Sequence, residues 1–188
     1  MESDDLLQQL REQRLTTLTL ADQIKDDRWR EPALSGGRSI HDVLSHILAW
    51  DEWAIAVFEI SAIRSLPPVL SGALQDVDGF NARSVKRFRN LTRDDILSAL
   101  QSANTRLIAS ARQSGGAEWA TRRIPDLARR HGEDGATQEE EEPRHAPSVR
   151  GILRSLLNHE RSHAQEIMDT FGITAQVEKP KQGEEGAS

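Results

Sequence analysis

The sequence contains no cysteine. Disulfides, thiolate metal ligands and a cysteine nucleophile are thereby excluded, and a reducing cytoplasm is the expected setting. No apolar run approaches the ~20 residues needed to cross a bilayer, so no membrane partner is expected. The start, Met1-Glu2-Ser3-Asp4-Asp5, is acidic and lacks the basic segment and apolar stretch of a signal peptide. A Ser-His-Asp constellation, a phosphate-cradling glycine loop and a dinucleotide fingerprint are all missing, which leaves nucleotide-dependent chemistry without support. No repeat with a period of roughly 20–50 residues occurs, which removes solenoids. Basic excess is lacking too. A net charge of -6 argues against nucleic acid as the main partner, because phosphate binding needs a basic surface.

With 188 residues, 37% hydrophobic and 29% charged, the chain fits one soluble domain with a proper core. That domain is expected over residues 1–173, and the polar stretch 174–188 is predicted to be a disordered tail. Ser3 is placed to cap a first helix, with Asp4 and Asp5 in the first turn, where the helix dipole favours negative charge. Leu6, Leu7, Leu10, Leu15, Leu18 and Ile24 supply its apolar positions. A connection over 27–38 contains Pro32 and Gly36-Gly37. Ser39 with Asp42 forms a capping-box-like start to a second helix, whose stripe is Val43, Leu44, Ile47, Leu48, Ala54, Ile55 and Phe58. Pro67-Pro68 forbids its continuation. A third helical region spans about 76–113 in two pieces, with Thr92 and Asp95 capping the second.

Residues 114–147 are irregular. Gly115-Gly116, Gly132, Gly135, the acidic run Glu139 to Glu142, Pro143 and Pro147 all oppose a packed element. So long a connection is either functional or mobile. Trp119 and Ile124 predict that its first part docks on the body, and the acidic run is expected to be solvated. The last helix begins at Ser148 and ends near Phe171, where Gly172 suits a left-handed stop. Four amphipathic helices without a strand predict an all-α four-helix bundle.

His159-Glu160-Arg161-Ser162-His163 is the most informative segment. Histidines at i and i+4 lie one above the other, ~6 Å apart along a helix, so both can reach one metal ion. Ile152, Leu156, His159, His163 and Ile167 share helical spacing, which puts the pair on an apolar face. Two core histidines bonded to neighbours are the simpler alternative. His46 is the candidate third ligand, since it lies mid-helix between Val43 and Trp50. His41 falls in the first turn of its helix, while His131 and His145 belong to the irregular connection. Three imidazoles from two helices would hold Zn²⁺, Ni²⁺, Fe²⁺ or Mn²⁺ and leave positions open, as catalytic sites do and structural sites do not.

Three stretches, in this order and spacing, resemble the DinB-like four-helix bundles, which include bacterial thiol-dependent S-transferases and maleylpyruvate isomerases. The first runs from Trp29-Arg30-Glu31-Pro32 through Gly37-Arg38-Ser39-Ile40-His41-Asp42 to His46 and the cluster Trp50-Asp51-Glu52-Trp53. The second is Asp78-Gly79-Phe80-Asn81-Ala82-Arg83, and the third is His159 through Ile167. The resemblance covers most of residues 3–171 and leaves 114–147 without a counterpart. It implies that His46, His159 and His163 bind one divalent metal. It also implies an up-down-down-up bundle with long crossover connections, often dimeric.

His159 to His163 also matches the H-E-x-x-H pattern of zinc proteases, but these need a sheet edge to hold a peptide, and no strand is predicted. The coincidence makes Glu160 the leading general-base candidate, against the plainer reading of a surface glutamate paired with Arg161 or a neighbour. Glu160 and His163 form half of a di-iron carboxylate site, yet no second Glu-x-x-His exists to complete it. Trp50 is expected in the core and as a wall of a substrate pocket. Arg83, Lys86, Arg87 and Arg89 give a basic face that is either solvated or receives an anionic substrate, a thiol cofactor or nucleic acid. The expected function is metal-dependent activation of water or a low-molecular-weight thiol, for transfer, isomerisation or hydrolysis of a small electrophile. Any sulfur would arrive on a cofactor, because the chain has none to offer as thiol. The alternative is a non-enzymatic stress-related ligand-binding protein, or a DNA-associated protection module.

Overall fold

The structure, a computed structural model, describes residues 2–114, 119–127 and 146–175. His131, His145, Gly115-Gly116, Gly132, Gly135, the acidic run with Pro143 and the chain beyond 175 lie outside the described residues. Six α-helices occur among those described: α1 (Glu2–Asp22), α2 (Ile40–Ser61), α3 (Pro68–Ser71), α4 (Val77–Phe88), α5 (Arg93–Gln113) and α6 (Val149–Phe171). The four long ones, α1, α2, α5 and α6, form the bundle.

Local chemistry sets most of the boundaries. Ser39 and Asp42 complete a capping box at α2, and Thr92 and Asp95 complete another at α5. The Ser148 side chain accepts from Gly151 N–H to open α6, and Gly172, at φ 64°, closes it. Proline at the first position starts the short α3, where its missing N–H has no helical partner to lose. The helix α1 begins at Glu2, so Ser3 lies inside its first turn and not before it. Gly36 and Gly37, at φ 70° and 71°, form the turn that leads into α2, a conformation a side chain would resist.

Contacts along the bundle fix helix directions. Asp4 of α1 pairs with Arg112 at the end of α5, and Asp22 pairs with Arg93 at its start, so these two run antiparallel. Glu59 of α2 meets Arg106 and Ser110 of α5 near both C-terminal ends, so those two run parallel. Gln9 of α1 meets Arg161 of α6, and Gln23 just past α1 meets Thr174 just past α6, so that pair is also parallel. The result is up-down-down-up, with the small helices α3 and α4 in the crossover between α2 and α5. Among the described residues, no helix is long and apolar enough to cross a membrane.

The core contains Leu7, Leu10, Leu44, Leu48, Phe58, Ile96, Leu100, Leu107 and Leu153, each almost wholly buried. In α1 the buried stripe differs from the expected one. Leu15 is 50% exposed while Leu20 is fully buried, because the face toward α5 and α6 continues through positions 7, 10, 14, 17, 20 and 21. Trp119 and Ile124 are buried, as expected. Their segment runs beside the start of α6, with Val149 N–H donating to Arg122 C=O at 2.9 Å and Ile124 N–H donating to Pro147 C=O at 3.1 Å.

Candidate metal centre

His46 projects from the middle of α2 and His159 and His163 from successive turns of α6. Their rings meet inside the bundle. The Nε2 atoms of His46 and His159 are 2.7 Å apart, and those of His163 and His159 are 3.0 Å apart. Nitrogen ligands ~2 Å from a shared ion and adjacent in its coordination sphere are about 3 Å from one another, so this convergence fits a single metal. Ring nitrogens that close repel if both carry protons or both present lone pairs, and an ion at their centre removes the conflict. His46 and His163 are buried and His159 is half-buried. Burial lowers the proton affinity of His46, to a pKa of about 3, with further lowering from the neighbouring imidazoles and Arg38. The His159 pKa falls to about 4, from burial first and then from His163. His163 is also lowered by burial, against the opposing pull of Glu166. All three imidazoles are therefore neutral at pH 7, the form that ligates a metal.

A second tier of groups orients the first. His163 Nδ1 lies 3.1 Å from Glu166 Oε2. Burial would raise the Glu166 pKa, but hydrogen bonds from His163 and the Ser35 N–H, together with Arg38, hold it below the ordinary value. An ionised Glu166 requires Nδ1 to be the donor, which leaves the His163 Nε2 lone pair for the metal. Glu166 Oε1 also accepts from Ser35 N–H at 2.8 Å, so the turn before α2 and the end of α6 are tied together through the site.

Glu160 is buried, in contrast to the expectation of a surface glutamate. It is 3% exposed, and both of its oxygens accept from Arg14, Oε1 from Nε at 2.8 Å and Oε2 from Nη2 at 3.0 Å. Arg14 Nη2 also donates to Asp51 at 2.7 Å, and its Nη1 donates to the Leu100 carbonyl at 2.7 Å. This one guanidinium joins all four long helices. Burial would lower its pKa, but the two carboxylates hold it raised. Asp51 is pushed up to about 6, by burial first and by the charge of Glu160, in spite of Arg14.

A cavity of about 540 Å³ opens beside the histidines. Trp50 and Trp53 of α2, Leu74, Val77 and Asn81 near α4, and Ile152 and Leu156 of α6 line it together with His46, His159 and His163. Trp50 is both a core residue and a wall of the cavity, its ring centroid 4.5 Å from that of Phe80 at a tilt of 47° and its indole donating to Asn81 Oδ1 at 3.0 Å. Glu160 is not among the lining residues. On the basic face of α4, Arg83 pairs with Asp76 and Arg87 with Glu52, so half of that charge is already neutralised. His41 stands apart from the cluster, its Nε2 lying 3.3 Å from the Leu91 carbonyl.

Arg14, Asp51, Glu166 and Arg38 received no role from the sequence. A signal existed for the first two. Arg14 falls on the stripe of Leu7, Leu10 and Ala21, and Asp51 on that of Leu44, Leu48, Ile55 and Phe58, each a charge at a core position. A sequence model described as the DinB superfamily matches residues 9–167. No curated protein and no solved structure matches the chain.

Proposed function

The chain belongs to the DinB superfamily, and on that premise we propose that it is a metal-dependent enzyme acting on a small electrophile. The superfamily generally binds divalent metal, and the three-histidine cluster could hold one. The convergence of three neutral imidazole nitrogens at the end of an apolar cavity is the observation that carries the reading. His46, His159 and His163 are the ligands, for Zn²⁺, Ni²⁺, Fe²⁺ or Mn²⁺. Such an ion supplies Lewis acidity, which brings the deprotonation of water or of a low-molecular-weight thiol toward neutral pH. The chain's own groups do the rest. Glu166 holds His163 in the ligating tautomer. Trp50 and Trp53 present ring surface to the substrate, since the indole N–H groups are engaged by Asn81 and by the Leu70 carbonyl.

We assign Glu160 a positioning role, in place of the general-base role that the H-E-x-x-H spacing suggests. Its Arg14 contacts support this, because proton transfer would require the carboxylate to leave a buried, bidentate partner. The reading includes a cytoplasmic homodimer. The lack of cysteine supports the first part, and the exposed Ile63 and Val69 are the features that support the second.

The test is a screen of metal-reconstituted protein against small electrophiles, with water alone and with low-molecular-weight thiols as nucleophile. Turnover that disappears in His46→Ala and His159→Ala, both still folded by circular dichroism, is the expected result. A second reading, a non-enzymatic holder of a small ligand, is favoured by the same apolar cavity and predicts retained ligand without turnover. The DNA-associated alternative draws little support from an acidic chain whose α4 cations are partly paired.

A further inference from the structure

The lining of the cavity restricts the kind of molecule that fits it, and this inference rests on the metal-dependent reading above. Arg38 is the one cationic side chain among the described lining residues, the three histidines being neutral, and none of those residues is a carboxylate. Its side chain is 38% exposed. Nε is held by the Ser35 carbonyl at 2.9 Å, which fixes the guanidinium at the cavity rim. Nη2 reaches Glu166 only at 3.4–3.5 Å, and Nη1 makes no hydrogen bond among the described residues. Arg38 Nη2 and His163 Nδ1 meet the same Glu166 carboxylate, at 3.4–3.5 Å and 3.1 Å, which places Arg38 at the histidine end of the cavity. A second cavity shares Arg38, His46 and Asn81 with this one and is lined by Asp42 and Asp78, so Arg38 stands between the two and the acidic groups line only the second. The opposite wall is apolar and aromatic, with both indole N–H groups internally bonded.

We infer that the cavity takes a small organic carboxylate with a flat apolar body, its head group meeting Arg38 at the histidine end and its body lying against Trp50, Trp53, Leu74 and Leu156. A guanidinium with unused donors recognises a planar carboxylate through paired N–H bonds. A single arginine, in a cavity whose other polar lining includes the hydroxyls of Ser155 and Ser162, matches one negative charge better than the two of a phosphate monoester. The apolar wall rejects an inorganic anion, which has no surface to bury there. Arg38 is thus a specificity-determining residue, distinct from the metal ligands.

The experiment is calorimetric titration of 4-phenylbutyrate, its neutral amide and phenyl phosphate into the full chain. It is run metal-reconstituted and chelated, with metal content read by mass spectrometry on the same samples. The carboxylate is expected to bind about tenfold or more tighter than the amide, as a charge-assisted pair implies. In Arg38→Gln that ratio should fall to about one while amide binding stays unchanged, and Arg38→Lys should recover part of it. Part of the preference should survive chelation. Equal binding of carboxylate and amide, no binding of either, a ratio unchanged in Arg38→Gln, or tighter binding of the phosphate would each overturn the inference. If the metal is present and the carboxylate preference absent, this inference alone fails. If the protein takes up no metal, the functional reading fails, and the chelated samples still report on Arg38.

Discussion

Replacing Arg14 with methionine should do more damage than its single position suggests. The guanidinium is 3% exposed and donates four hydrogen bonds, two to Glu160, one to Asp51 and one to the Leu100 carbonyl. Methionine fills similar space and makes none of them, leaving two carboxylates buried without a counter-charge. Breaking a buried ion pair from one side costs about 3–5 kcal/mol, most of it the desolvation of what stays behind. A chain of this size loses ~2–4 °C in Tm per kcal/mol, so the expected drop is about 6–20 °C. Urea unfolding followed by tryptophan fluorescence would measure the free-energy loss, and thermal unfolding followed by far-ultraviolet circular dichroism the drop in Tm. The triple variant Arg14→Met/Asp51→Leu/Glu160→Met supplies the control. With the stranded charges gone, it should return to within about 2 kcal/mol of the parent, because apolar replacements of a buried ionic cluster are often neutral. A loss in the single variant below about 1 kcal/mol, or a triple variant as unstable as the single, would refute the reasoning.

Three further outcomes follow from the same geometry. Glu166→Gln should leave the fold intact and weaken metal binding ~10–100-fold, as loss of an orienting carboxylate does, measured by competition with a metal indicator. Chelation should lower Tm by about 5–10 °C when metal had been present at ~100 times its dissociation constant, and should do nothing to His159→Ala, as differential scanning calorimetry would record. Asp51, at a pKa of about 6 folded against 3.8 ordinarily, binds a proton in the native state at pH values where the unfolded chain does not. The contribution of Asp51 to stability should therefore rise as pH falls from 6 toward 4. It is opposite in sign to that of His46, His159 and His163, whose lowered pKa values cost stability on acidification, so the comparison of Asp51→Asn with the parent isolates it. Asp51→Asn should raise stability at pH 8 and lose that advantage near pH 4, while an advantage that grows on acidification would contradict the assignment.

The helices and the histidine cluster were legible in the sequence for different reasons. Capping boxes at Ser39 and Thr92, and the glycine at 172, are local chemistry, so they could be read one turn at a time. The His159–His163 pair was legible because helical spacing alone stacks the two rings, and His46 followed from its place on an apolar stripe. The burial of Glu160 was not legible, because its partner Arg14 lies 146 residues earlier and no spacing rule connects them. The pattern that would have helped is shared by three helices. Arg14, Asp51 and Glu160 each occupy a core position within an otherwise apolar stripe, and one cation facing two anions is the arrangement that can bury such charges together. Arg38 and Glu166 were harder still, since both act across the turn at Ser35, whose shape depends on Gly36 and Gly37 adopting positive φ.

The most direct test of the central claim is metal content by mass spectrometry on purified protein, beside His46→Ala and His163→Ala. The account predicts about one equivalent of a divalent transition metal in the parent chain and its loss from both folded variants. A fully folded parent that neither carries nor takes up a transition metal would contradict it, and the three imidazoles would then be core residues that happen to meet.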